Sequence, residues 1–417
     1  MHEYVIDESL RSNPLHVLLD RRTRHDPYPV LAELRAVSPL RTGDGSLVVG
    51  DYENCLAVLR NPAMGSDTLA SAGLRGVLPG ERQELLDSIF FMDPPDHGRQ
   101  RRLISKAFTP RITDRFRPWI QGIIDELIDG FRHNGEFDAV DDFAKPMSMR
   151  MIGELMSVPS ADLDMLREWS DQLALAAEFP ALVAGFRSTA MFHPEDFART
   201  DRTGTAMHAY FADLIHKRRR DPGEDLLSSL LSTRDRGDSL ARHEVTNVLV
   251  TLFAAAHESV TNLISNGILA LHRHSDQLAA YRADPSTGRL LVEEVLRYDA
   301  PVQLTARVAV SPTVVGGLDV EPGTIVILLL AAANRDSARY PAADEFIADR
   351  RTRTMQLAFG AGPHFCIGAA MARLQAELAL RAVAERFAEF EVAEESLAYR
   401  RHVVVRGLSS MSVRFHL

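Results

Sequence analysis

The chain has 417 residues, 46% of them hydrophobic and 25% charged, an ordinary globular composition with enough apolar material for a large core. A formal net charge of −10 argues against a general nucleic-acid surface. The two cysteines, Cys55 and Cys366, come with no CxxC pair and no Cys/His cluster, which excludes a disulfide framework and the usual structural zinc sites.

Along the chain, the first thirty residues are dotted with charge and carry no basic start followed by an apolar stretch, so no secretory signal is expected. Helical spacing of apolar residues predicts helices over 28–37, 54–61, 96–108, 114–131, 146–156, 163–175, 204–217 and 225–231. Turn-rich stretches fall at 65–80 and 192–204. Strand signals are fewer: 47–49, 305–310, 324–330, 401–405 and 411–415. Two helices stand apart. Residues 243–271 are apolar nearly all round, as expected of a helix through the centre of the molecule, and 368–387 are amphipathic and follow Cys366 directly. The longest apolar runs, 248–256 and 325–333, fall short of the roughly 18 to 20 residues that cross a bilayer. With no repeat and no Ser/Gly linker, the expectation is one domain over 1–417, mainly α with small β-sheets, soluble and cytoplasmic, with no membrane and no nucleic-acid partner.

The segment around Cys366 reads FGAGPHFCIG. Two glycines and a proline before a cysteine, with a helix starting at once, make a tight loop that presents the sulfur to amides at a helix N-terminus, where thiolate is favoured over thiol. A cysteine taken alone is more often a small buried hydrophobe. A phosphate loop is excluded, because the sixth position of a GxGxxG pattern begun at Gly360 is Phe365. The whole string resembles the haem-binding loop of the cytochrome P450 family at every fixed position. The resemblance implies that haem b is the cofactor, held between the long central helix and the helix after the cysteine loop. It makes Cys366 the axial iron ligand, packs Phe359 over the sulfur, counts Gly360 among the cofactor-binding residues, and sends His364 to a haem propionate. A thiolate ligand donates electron density that favours O–O bond cleavage.

Further stretches carry the same likeness. In MDPPDHGRQRRLISKAF, His97 and Arg101 are four apart and share a helix face. The resemblance gives them to a propionate, as it does Arg307 in TARVAV. Arg99, Arg102 and Lys106 lie on a different face and read either as a solvated surface or as a docking patch for an acidic ferredoxin or flavodoxin. In LVEEVLRYDAPV, Glu294 and Arg297 form an i, i+3 pair of a kind that is ordinarily a weak surface contact. Here they resemble the family's ExxR motif, which implies a buried network completed by Arg350. DPYPVLAEL and AAANRDSARYPAADEF extend the likeness over essentially the whole chain.

On the central helix, AAHESV places Glu258 and Ser259 where the family has an acid and an alcohol for proton delivery, with Ala255 and Ala256 beside the oxygen-binding groove. The sequence departs from the pattern at Ala256, where the family has glycine, at Ser259 in place of threonine, and at Val260, which lacks a second hydroxyl. Serine has no methyl to restrict its rotamer. Tolerated variation and altered proton delivery both remain open. A metalloprotease reading of His257 and Glu258 fails because HExxH needs histidine at position 261, which is Thr261.

By the resemblance, substrate walls are 63–91, 179–197, 252–256 and 302–304, with Phe179, Phe186, Met191 and Phe192 suggesting an apolar pocket. With no flavin or nicotinamide domain in these residues, electrons are expected from an external ferredoxin or flavodoxin with its NAD(P)H reductase. The implied activity is a monooxygenase that uses O2 to hydroxylate or epoxidise a small, largely apolar molecule, as in natural-product biosynthesis. Oxidative coupling, cyclisation or desaturation is the alternative, and a haem protein that binds ligand without turnover is a third.

Overall fold

The computed structural model describes residues 17–18, 20–68, 88–186, 194–223 and 225–416. The α-helices among them are α1 (Arg21–His25), α2 (Tyr28–Ala36), α3 (Tyr52–Arg60), α4 (Asp96–Ser105), α5 (Pro110–Arg115), α6 (Arg117–Phe131), α7 (Lys145–Met156), α8 (Leu163–Phe186), α9 (Pro194–Arg220), α10 (Leu226–Ser232), α11 (Arg242–Arg273), α12 (Ser275–Ala283), α13 (Gly288–Tyr298), α14 (Leu330–Ala333) and α15 (Ala369–Arg386). The strands are β1 (Leu40–Arg41), β2 (Leu47–Val49), β3 (Met64–Gly65), β4 (Glu136–Asp138), β5 (Thr305–Ala309), β6 (Thr313–Val315), β7 (Leu318–Val320), β8 (Ile325–Leu328), β9 (Glu389–Val392), β10 (Ala398–Tyr399), β11 (Leu408–Ser410) and β12 (Ser412–His416). The molecule is thus mainly α with small sheets, as its composition of helical periods requires.

Helix α11 is the axis of the structure. It packs against α7, α8, α9 and α15, and its middle is buried on nearly every side. Its length and apolarity would suffice to cross a membrane, but 72% of its most apolar window is buried inside the protein, which makes it a core helix. The segment that follows α11 runs through α12 and α13 to the largest sheet, whose strand order is β1-β2-β8-β5-β3. Only the β2–β8 pair is parallel, and β5 pairs antiparallel with β8 through Thr305↔Leu328 to Val308↔Ile325. That register places Arg307 opposite Val326. Strands β4, β12 and β9 form a second sheet beside α6 and α15, where Phe131, Phe137, Phe387 and Phe415 pack ring against ring.

Several local expectations are corrected. Residues 401–405, read as a strand, form no strand, and only Val405 makes an isolated bridge, to Val302. The run of β-branched valines misleads because the amides of Val403, Val404 and Val405 are taken by the Glu178 carboxylate rather than by a ladder. Helix α8 runs eleven residues past the expected end at 175, and α9 begins at Pro194, inside the stretch read as turn-rich; proline is well suited to a first helical turn. The expected helix 114–131 is broken at Phe116 into α5 and α6, with Thr109 capping α5 and Pro118 opening α6. The apolar run 325–333 is divided between strand β8 and the short helix α14.

Candidate functional site

The loop 359–368 is built on backbone geometry. The Cys366 amide donates to Phe359 O at 2.9 Å, and the Gly360 amide to Leu357 O at 2.8 Å. Gly360 and Gly362 both have φ of +69°, a region costly for any residue with a Cβ. At Gly362 the exclusion is also steric, since a Cβ there would lie 2.4 Å from Leu59 O. Cys366 is half-buried at the entry to α15. Burial pushes its thiol up, and although the Gly368 and Ala369 amides and the charges of Arg101 and Arg373 pull the other way, burial prevails. The helix-terminal amides thus favour thiolate as expected, but burial outweighs them, and a bound cation is what would make the sulfur a thiolate. Arg373 stacks over the Phe359 ring at 4.5 Å and pairs with Glu293, which fixes that ring beside the loop.

Four basic groups from three separate stretches gather near this loop. His97, only 3% exposed on α4, stacks on His364 with ring centroids 3.9 Å apart. Arg101, one turn along α4, donates to Phe365 O. Arg307 on β5 donates to Ala306 O at 2.8 Å. Each depresses its neighbours: His364 is lowered to about 3 by burial and then by Arg307, His97 and Arg101, and His97 is lowered by burial and then by Arg101. Burial lowers Arg307 to about 10. Among the described residues none of the four is in an ion pair with a carboxylate. Arg101 and Arg307 are half-buried guanidiniums, the two imidazoles add donors, and a carboxylate, Asp93, acts on His97 and Arg307; the excess of cationic and donor groups is complementary to a dianion carrying two carboxylates. Together with a half-buried sulfur two residues from His364, the donor set fits haem b: Cys366 to the iron, and His97, Arg101, Arg307 and His364 to the propionates. No group of three His, Cys, Asp or Glu side chains that could hold a separate metal ion occurs among the described residues.

Helix α11 packs against α15 and so lies across the same space. Leu252, Ala255, Ala256 and Ser259, at helical spacing on one face, are half-buried, whereas Phe253, His257, Glu258 and Val260 are buried. These four small or apolar side chains form the half-buried stripe of the helix's middle, apart from Ala254. The acid and the alcohol are not brought together in it. The Ser259 hydroxyl donates to Ala255 O at 2.9 Å within its own helix. The Glu258 carboxylate accepts from Arg400 Nη1 at 2.9 Å and lies 3.1 Å from His402 Nδ1. Burial would raise the Glu258 carboxyl, but the His402 bond and the His402 and Arg400 charges outweigh it and hold the group below the ordinary carboxylate value.

Arg400 and His402 were not singled out by the sequence, and neither was Glu178, which is 1% exposed on α8. Its carboxylate accepts the amides of Val403, Val404 and Val405 at 2.8–3.1 Å, pinning the strip that carries Arg400 and His402. A glutamate inside an otherwise apolar helical run, LALAAEF, was the available signal.

Glu294, Arg297 and Arg350 do meet. Arg297, 2% exposed, binds both Glu294 oxygens at 2.7 Å and the carbonyls of Asn334, Ala343 and Glu345. Arg350 Nε lies 3.0–3.1 Å from the same carboxylate. Asn334 Oδ1 in turn accepts the Leu357 amide, linking this network to the cysteine loop. The surface cations behave otherwise than as a free docking patch: Arg99 pairs with Asp238 and Glu244, and Arg102 and Lys106 both pair with Asp235. Of the expected substrate walls, 69–87, Met191 and Phe192 and the side chains of Phe179 and Phe186 lie outside the described residues, while Val302 is half-buried and Leu304 is buried.

With this geometry in place, comparison with known proteins is direct. The sequence profile of the family described as Cytochrome P450 matches residues 69–284 and 289–401. The chain is 36% identical over 402 residues to the cytochrome P450 monooxygenase PikC of Streptomyces venezuelae, covering 94% of this chain and 91% of that one. It is 31% identical over 420 residues to the 6-deoxyerythronolide B hydroxylase of Saccharopolyspora erythraea, covering 97% and 98%. The ligand-free crystal structure of Mycobacterium smegmatis CYP164A2 superposes with a TM-score of 0.87 at 38% identity, over 96% of this chain and 99% of that one.

Proposed function

Since the chain belongs to the cytochrome P450 family and is thereby an oxidoreductase of the monooxygenase kind, we propose that it is a single-domain cytoplasmic enzyme that hydroxylates or epoxidises a small, largely apolar molecule in natural-product biosynthesis. The observation that carries the reading is the gathering of His97, Arg101, Arg307 and His364 around the loop of Cys366. Bound there, haem b supplies O2 activation with two electrons from an external ferredoxin or flavodoxin and its NAD(P)H reductase. The protein's own part is to present the sulfur through two left-handed glycines, to neutralise two carboxylates, and to offer an apolar wall at Leu252, Ala255 and Ala256. Glu258 and Ser259 follow that wall on α11 as its acid and alcohol, and proton handling falls to them. The name of the hydroxylase from Saccharopolyspora erythraea supports a natural-product substrate.

One observation favours the second reading, oxidative coupling, cyclisation or desaturation: both proton-handling groups are already engaged, Ser259 with Ala255 and Glu258 with Arg400 and His402. Turnover of a panel of apolar macrolactones, fatty acids and steroids under 18O2 separates the two. Monooxygenation places one heavy oxygen atom in the product. A product formed at the expense of NAD(P)H but free of heavy oxygen supports the second reading and overturns the first.

A further inference from the structure

Glu258 is only 4% exposed, and its two hydrogen-bond partners, Arg400 and His402, come from one stretch of the C-terminal segment. On that side any proton it gives up must be returned through those partners. Arg400 cannot return one, because a guanidinium stays protonated across the working pH range. An imidazole can. The His402 side chain keeps 18% of its surface, against 5% for Glu258, and its neighbour Arg401 is exposed, so His402 stands between the carboxylate and solvent.

A cavity of about 30 Å³ lies behind His402, walled also by Thr23, Arg24, Gln303, Tyr399, Arg400 and Arg406. Three buried polar atoms of these walls make no hydrogen bond, Arg24 Nε, Gln303 Oε1 and Arg400 Nε, while Arg406 is bonded to Tyr399 and lies 3.8 Å from Asp299. Each such atom costs about 1–3 kcal/mol if left unsatisfied. Water needs roughly 10–15 Å³ per molecule and two to four polar partners, and the cavity offers both. The groups facing His402 are Glu258 from α11, Glu178 from α8 and Arg400 from its own strip. Arg24 and Arg406 complete the cavity, with Asp299 beside Arg406. Burial pushes the His402 imidazole down, but the Glu258 bond and the charges of Glu258 and Glu178 prevail and raise it. Glu178, by holding three successive amides, keeps the ring where it is.

We propose that His402 returns the proton to Glu258 and that the cavity behind it is a water site from which His402 is recharged. The proposal rests on the reading of Glu258 as the proton-handling carboxylate. In the step, the Nδ1–H bond of the His402 imidazolium breaks as an O–H bond forms at Glu258 Oε1. The neutral imidazole then takes a proton from cavity water, which regains one from bulk solvent. His402 acts through Glu258 and not on the substrate.

Two measurements on the haem-loaded protein test this. The first is a pH titration of 15N-histidine-labelled protein by NMR in its diamagnetic reduced carbon-monoxide form. His402 is expected to titrate above the ordinary value of about 6.5, and Glu258→Gln to bring it down. A wild-type His402 that titrates at or below the ordinary value overturns the proposal without any variant. The second is NAD(P)H-driven O2 reduction with ferredoxin and its reductase, without added substrate, in H2O and D2O across pH, with hydrogen peroxide measured. His402→Gln is expected to slow the proton-limited rate about tenfold, less than the ~10²-fold of a positioned acid because water substitutes in part, and to flatten the pH profile. A His402→Gln enzyme with the wild-type carbon-monoxide spectrum, pH profile and solvent isotope effect overturns the proposal. If Glu258→Gln slows the rate and His402→Gln does not, only this proposal fails. If neither does, the role of Glu258 fails with it.

Discussion

Replacing Arg297 by alanine removes five hydrogen bonds from a side chain that is 2% exposed. Glu294 keeps Arg350 and the Ile347 amide, and the Glu345 carbonyl keeps Arg350, so part of the network survives. What does not survive is the bidentate pair, together with the bonds to the Asn334 and Ala343 carbonyls. Breaking one side of a buried ion pair costs about 3–5 kcal/mol. With about 2.1 cal/mol/K of unfolding entropy per residue, a chain of 417 residues loses about 4–5 °C in its thermal midpoint for a cost of about 4 kcal/mol. The control is Arg381→Ala. Arg381 pairs with Glu385 at 2.7 Å, but both side chains are about half exposed, so its loss costs about 0.3–0.5 kcal/mol and under about 1 °C. Thermal unfolding followed by circular dichroism decides between them. Equal shifts for the two variants refute the claim that burial, rather than the pair itself, sets the cost.

Three further outcomes follow from the same geometry. Gly360→Ala costs about 1–2 kcal/mol for a Cβ at positive φ that meets only His364 O at an ordinary 3.8 Å, whereas Gly362→Ala costs more, because its Cβ collides with Leu59 O; unfolding and haem retention of the two variants check the order. His402 has a raised folded pKa, so its contribution to stability is full below the unfolded value of about 6.5 and is lost as pH rises through the folded one. The stability gap between wild type and His402→Gln, measured by denaturant titration, therefore narrows on going alkaline, and a gap that widens contradicts the assignment. Charge reversal at Arg102 and Lys106 breaks their pairs with Asp235 but leaves the salt dependence of ferredoxin-supported turnover unchanged; a steeper or lost dependence would restore these residues as a docking patch.

What the sequence made legible was local or short-range. The cysteine loop is ten consecutive residues whose glycines, proline and cysteine each have a backbone reason, and the Glu294–Arg297 pair is three apart on one helix. The helical class followed from periodicity, and α11 from apolar residues on every face. What stayed hidden depends on distant partners. Arg400 and His402 lie 142 and 144 residues from Glu258, and their strip looked like a strand because it runs into three β-branched valines. Only the folded chain shows that Glu178, over 220 residues away, takes the amides a strand would need. The partners of the basic face of α4 stayed hidden for the same reason: Asp235, Asp238 and Glu244 sit far along the chain. At Cys366 the helix-terminal amides were visible in sequence, while the burial that outweighs them was not.

The central claim is that Cys366 ligates a haem iron as thiolate. The difference spectrum of the reduced protein with and without carbon monoxide tests it most directly. Wild type is expected to give the long-wavelength Soret band of thiolate ligation, and Cys366→His to bind haem without that band. A wild-type protein that takes up no haem, or a Cys366→His variant that keeps the thiolate band, contradicts the account.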